Sequence, residues 1–148
     1  MRLQVFELQG HRHAVEYVET STVTNGVTCD VYRFTADDTR DLGVVEVQPG
    51  CRTPMQRVVG GTSTIEGLLR GQGTLTVTKP DGRADTHAFD DPRTPPVSVD
   101  RGDIMQWHAD GPMPLIFYEV CSPPYEAGRF EDLDDGADPA DSITDIAE

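Results

Sequence analysis

"TIEGLLRGQGTLTV", residues 64–77, decides the fold. Both ends carry residues suited to β-strands, and the second alternates polar with apolar side chains. Between them, Arg70-Gly71-Gln72-Gly73 supplies the glycines that a tight hairpin needs. The stretch therefore predicts antiparallel strands over 64–69 and 74–80. The same period of two runs outward on both sides. Upstream it marks "LQVFEL" (3–8), "HAVEYVET" (13–20), "CDVYRFT" (29–35) and "LGVVEVQ" (42–48). Downstream, Asp81-Gly82 turns the chain into "DTHAF". "PPVSVDRGDIMQW" holds two strands around Arg101-Gly102-Asp103, and "PLIFYEVCS" (114–122) is a long apolar strand. No window before residue 125 has a helical period. Many short antiparallel strands predict an all-β double-sheet jelly roll, which limits exposed edges.

The 148 residues make one domain, with a net charge of −14 and Lys79 as the only lysine. So acidic a surface repels phosphate, so neither nucleic acid nor membrane is an expected partner. The excess of carboxylates reads as a solubility device, or as hydration in a salty cytoplasm. No apolar run approaches the length of a membrane span, and "MRLQVFELQG" is too polar for a signal peptide. Cys29, Cys51 and Cys121 are odd in number and far apart, which predicts reduced thiols in the core of a cytoplasmic protein. Eight of the last twenty residues are Asp or Glu. Such a segment buries too little apolar surface to offset its ordering entropy. A barrel domain over 1–132 is therefore expected, followed by a disordered acidic tail over 133–148. Pro123, Pro124, Tyr125 and Phe130 are expected to pack back on the barrel.

Three pieces resemble the cupin superfamily. "VVEVQPG" looks like the strand and turn before the first cupin motif, and "TIEGLLRGQGTLTV" like that motif's end. "VDRGDIMQWHADGPMPLIFYEV" looks like the second motif. Together they span about residues 42–122. The resemblance implies a jelly-roll barrel with a central pocket, often dimeric and often holding a metal on histidines. Here the sequence departs from the pattern. With Gly71 as the hairpin glycine, the two histidine positions fall on Val58 and Gly60, and the glutamate position on Thr64. The second motif's histidine position falls near Gln106. Valine and glycine offer a metal no donor. No metal or cofactor is therefore expected.

Strand alternation then proposes what fills the pocket. If Thr64 faces inward, so does Glu66; if Gln106 does, so does His108; Gln56 shares the direction of Val58. Glu66 and His108 form a candidate acid–base pair, since burial raises a Glu and tunes a His toward neutrality. They can equally satisfy each other as a structural pair. Gln56, Thr64 and Gln106 can orient a ligand's hydroxyl or carbonyl groups. Arg57 and Arg70 can grip a carboxylate, or else pair with surface acids. Trp107 and Tyr118 fall on the opposite alternation, and His11, His13 and His87 read as surface or rim residues.

The first expectation is a small-molecule-binding protein taking a sugar-like or carboxylate metabolite. The alternatives are a metal-independent isomerase, epimerase or cyclase using Glu66 and His108; a metal-dependent dioxygenase or isomerase with atypical ligands; and an interaction module acting through its acidic tail. A homodimer paired through the N-terminal strands is expected.

Overall fold

In the computed structural model, residues 2–124 and 130–133 are described, and among them there is no helix. Twelve strands form: β1 (Val5–Leu8), β2 (His11–Thr24), β3 (Val27–Phe34), β4 (Asp37–Val47), β5 (Met55–Val58), β6 (Ser63–Arg70), β7 (Gly73–Thr78), β8 (Ala84–Phe89), β9 (Val97–Asp100), β10 (Ile104–Ala109), β11 (Leu115–Ser122) and β12 (Phe130–Leu133). They build two antiparallel sheets. One has the order β1-β2-β3-β4-β11-β6-β9 and the other β12-β5-β10-β7-β8. This is the expected jelly roll. The sequence reading placed no strand at β5 or β12. These two pair with each other, Phe130 opposite Val58 and Leu133 opposite Met55. Tyr125 and the acidic segment 134–148 lie outside the described residues.

Alternation along each strand divides the side chains between two cores. The first fills the space between the sheets with Val27, Val45, Val58, Leu68, Leu75, Trp107 and Phe117 among others. The second lies on the far face of the seven-stranded sheet, where β1 curls back over it. Phe6 of β1 meets Tyr118 of β11 at 5.0 Å between ring centroids, although three strands separate them in the sheet. The N-terminal strand thus finds its apolar partners within the chain. The stretch 64–77 is not the expected hairpin: β6 pairs with β11 and β9 in one sheet and β7 with β10 and β8 in the other, so the glycines at 71 and 73 carry the chain from sheet to sheet. The stretch serves both cores. Leu68 enters the first, while Gly67 leaves room for Tyr118, whose ring comes within 2.3 Å of where a Cβ would stand.

The turn at Arg101-Gly102-Asp103 shows how the lone lysine is used. Asp103 is buried, accepts the backbone N–H of Asp100 at 2.9 Å, and accepts Lys79 Nζ at 2.8 Å. A buried carboxylate needs such donors. The cation thus pins the β9–β10 turn to the end of β7. The three cysteines are free thiols; Cys121 is buried, and Cys29 and Cys51 pack against the first core.

Candidate functional site

The seven-stranded sheet creates the site through one irregularity. β2 carries a bulge between Tyr17 and Glu19, so Tyr17 opposes Tyr32 while Glu19 opposes Val31. A bulge's extra residue swaps the faces of everything that follows. Before it, Val15 and Tyr17 join the outer core; after it, Glu19 and Ser21 turn toward the space between the sheets. There they border a cleft of about 450 Å³. Cys29, Asp41, Gly43, Glu119 and Cys121 continue its wall along β3, β4 and β11. Gln56, Phe130 and Asp132 close it from the opposite sheet, with Gln56 Nε2 donating to Asp132 at 2.8 Å. Phe117, Val27 and Val45 form its apolar floor. The volume lies within the range of small-molecule sites.

Behind Glu119 lies Glu66, its direct cross-strand partner, with no exposed surface. Glu66 Oε1 accepts the indole N–H of Trp107 at 2.9 Å. Its Oε2 and the hydroxyl of buried Thr64 meet no partner of ordinary hydrogen-bond geometry. They nonetheless lie near enough to each other and to Glu119 to bear on ionisation. Burial first, and the charge of Glu119 second, hold the Glu66 carboxyl well above the usual range; Trp107 and Thr64 pull it down, less strongly. Burial, then the charges of Glu119, Asp30, Asp41 and Glu66, push the Cys29 thiol up. Cys29 therefore stays a thiol and is a poor nucleophile.

The raised Glu66 has a consequence for stability. The folded chain binds this proton more tightly than the unfolded chain does. Stability from it is complete below the ordinary Glu value of 4.5 and is lost as pH rises through the folded value. Glu66→Gln, neutral throughout, removes that dependence. Its melting temperature is expected to gain on the wild type as pH rises above about 5 in thermal unfolding followed by circular dichroism. A difference that stays constant with pH would show that Glu66 is not the titrating group.

The expected site residues divide into two groups. Thr64 and Glu66 face inward, and Gln56 lines the cleft. Gln106 and His108 do not face inward, which corrects the sequence reading. Met105, Trp107 and Ala109 of the same strand occupy the inter-sheet core, so alternation turns 106 and 108 to the other face. Gln106 Nε2 there donates to the Thr53 carbonyl at 2.9 Å, and His108 bridges to Arg52 through the backbone. The structure does not bring Glu66 and His108 together. Trp107, expected on the opposite alternation from the interior set, lies inside. Arg57 points away and pairs with Glu131 at 2.8 Å, and Arg70 is exposed at the end of β6. Glu119, Asp41, Glu19 and Asp132 were missed. The signal for Glu119 was present, as the single charge in "LIFYEVCS".

The fold's usual metal does not fit these residues. Val58 is buried and apolar, Gly60 has no side chain, Thr64 offers one hydroxyl, and Gln106 faces the wrong way. Among the described residues, no three His, Cys, Asp or Glu side chains are placed to hold a metal ion. Nor is any described helix long and apolar enough to cross a membrane.

No protein-family model matches the chain, and no curated protein does. Solved structures do match. Lactobacillus farciminis oxalate decarboxylase, determined as a formate complex, aligns with a TM-score of 0.65 at 18% identity, over 88% of this chain and 38% of that one. Bacillus subtilis oxalate decarboxylase, in work on its Mn(II) centres, aligns with a TM-score of 0.60 at 22% identity, over 71% and 28%. The 7S globulin of Momordica charantia aligns with a TM-score of 0.63 at 13% identity, over 78% and 34%. The chain thus spans well under half the length of each. At such identities the likeness is one of fold.

Proposed function

We propose that this chain, which has the cupin jelly-roll fold, binds a small polar metabolite in the cleft between its sheets. The cleft itself carries the reading: about 450 Å³ with an apolar floor and a rim of carboxylate, hydroxyl and amide groups. Such a lining orients a ligand through hydrogen bonds while the floor excludes water. Of the two ligand classes the sequence suggested, the lining supports the hydroxyl-rich, sugar-like one. A carboxylate ligand would face Glu19, Asp41, Glu119 and Asp132, with no Lys, Arg or His among the described lining residues to meet it.

The test is a thermal-shift panel of neutral sugars, carboxylic acids, amines and nucleosides, with hits quantified by calorimetry. Ser21 is exposed at the rim. Ser21→Trp is expected to obstruct the mouth and weaken any hit by about tenfold or more while leaving the melting temperature unchanged. A panel without hits, or hits indifferent to this variant, would overturn the reading.

A second reading, isomerisation or epimerisation without a metal, is favoured by one observation. A cleft-lining carboxylate, Glu119, is backed by a buried carboxyl, Glu66, with a raised proton affinity. A carboxyl that holds its proton tightly directly behind a cleft-lining one is what an acid–base step can use. In this reading Glu119 takes the place expected of His108, and Glu66 is a positioning residue. Glu119→Gln should then abolish turnover but spare ligand binding. As further parts of the proposal, the chain is cytoplasmic and homodimeric; sedimentation would test the latter.

A further inference from the structure

We infer that the turn at Asn25-Gly26 is a modification site, where the asparagine closes on the next backbone nitrogen and converts to aspartate and isoaspartate. Asn25 is the only asparagine of the chain. It is exposed in the two-residue turn between β2 and β3. Asparagine is favoured in such turns where it must take a positive φ. Here the positive φ, +82°, falls on Gly26, and Asn25 has none, so the backbone does not call for asparagine. Among the described residues, no hydrogen bond engages the Asn25 side chain, the Asn25 carbonyl or the Gly26 N–H. The electrophile and the nucleophile therefore meet in a turn that ties down neither. Glycine also leaves the attacking nitrogen unscreened by a Cβ. Packing requires that glycine, since a Cβ there would stand 2.8 Å from Cys51 Sγ.

The step needs only water. The Gly26 nitrogen gives its proton to water and attacks Cγ of Asn25. The new N–Cγ bond closes a five-membered succinimide, the Cγ–Nδ2 bond breaks, and ammonia leaves with a proton from water. Water then opens the ring at either carbonyl. Opening at Cγ leaves aspartate; opening at the backbone carbonyl leaves isoaspartate, with the chain routed through the side chain. In sum one water enters and one ammonia departs. The described Asp-Gly pairs lack this freedom. Asp81 Oδ1 accepts the Arg83 N–H at 2.9 Å, and the Gly82 N–H donates to the Lys79 carbonyl at 2.9 Å. Asp110 accepts the Thr74 hydroxyl. Gln9 and Gln72 also precede glycines, but their closure is a less favourable six-membered ring. The site matters because of what it joins. Ser21, Thr22 and Val23 before the turn and Val27 after it line the cleft, and the Gly26 carbonyl accepts the Gln48 N–H at 2.9 Å. Isoaspartate adds a backbone carbon and a negative charge at that border.

The experiment incubates the full, folded chain at neutral pH and follows its tryptic peptides by mass spectrometry. The peptide 13–33 carries Asn25 and holds no glutamine and no Asp-Gly pair, so its signal has one source. It is expected to gain about 1 Da and to split into two chromatographic isomers. Protein isoaspartyl methyltransferase is expected to label one isomer and not the other. Asn25→Gln should lose the mass gain, the split and the label together. If the peptide stays unchanged in the folded chain but gains the mass in urea, the turn protects Asn25 and the inference is overturned. No gain in either state overturns it as well. A gain in mass with one unlabelled isomer would be direct hydrolysis without the ring, and would also overturn it. The result is independent of whether the cleft binds a ligand.

Discussion

Gly71→Ala is expected to cost about 3 kcal/mol and lower the melting temperature by about 10 °C. Two separate penalties produce this. Gly71 has a φ of +84°, where a side chain on an L-residue crowds its own backbone, at about 1–2 kcal/mol. A Cβ there would also stand 2.5 Å from the Pro114 carbonyl oxygen and 3.2 Å from Leu115 Cα. Both are backbone atoms, so no rotamer change relieves the contact. The start of β11 would have to shift, and overpacking of this kind costs about 1–3 kcal/mol. Gly82 separates the two terms. Its φ is +91°, yet nothing lies within 4 Å of the added carbon. Gly82→Ala should therefore cost only about 1 kcal/mol. Urea unfolding of both variants decides the matter. Equal losses would mean that the approach of β11 to the β6–β7 turn contributes nothing.

The turn at Gly71 and the strands on either side of it were legible because their chemistry is local; that the two strands join different sheets instead of pairing as a hairpin was not. Glycines at a turn and alternation on either side need no distant partner to be recognised. β5 and β12 were not legible because each has four residues and exists through its neighbours, β5 through β12 and β10, and β12 through β5. Nothing in "MQRV" alone marks a strand; the pairing of Arg57 with Glu131 and of Gln56 with Asp132 across more than seventy residues does. The β2 bulge was hidden for a similar reason, since only the register against Tyr32 and Val31 reveals it.

The inversion of Gln106 and His108 has a different cause. A strand has a period of two, so an error of one residue in its anchor reverses every side chain. Resemblance placed the anchor on Gln106. The residues of "IMQWHA" supported the other choice, because Met105, Trp107 and Ala109 form the more apolar set. Glu66 was placed correctly because its strand was anchored on the turn glycine, Gly71. The true partner, Glu119, sits in a strand that reads as pure core. A lone charge in such a strand is either buried at a cost or put to use.

Trp107→Ala is expected to be the most damaging change, at about 5 kcal/mol, and the milder Trp107→Phe shows why. The indole stacks on Phe117 at 4.4 Å with 13° between planes, and packs on Phe89 at 5.1 Å. Alanine loses these contacts and leaves a cavity. Phenylalanine keeps most of the packing but removes the N–H that reaches Glu66 Oε1. A fully buried carboxyl then loses the donor at its Oε1, which costs about 2 kcal/mol. Since that hydrogen bond favours the charged form, its loss also raises the proton affinity of Glu66 further. The double variant Trp107→Phe with Glu66→Leu removes donor and acceptor together, and such paired removals are nearly neutral. It should regain more than about 1 kcal/mol over Trp107→Phe alone. Trp107 is the single tryptophan, so unfolding must be followed by circular dichroism and not by fluorescence. Additive losses in the double variant would mean that the indole acts only as filler. Recovery would mean that the inter-sheet core is built around a polar pair. In that case the carboxyl behind the cleft is held in place by the same ring that closes the barrel.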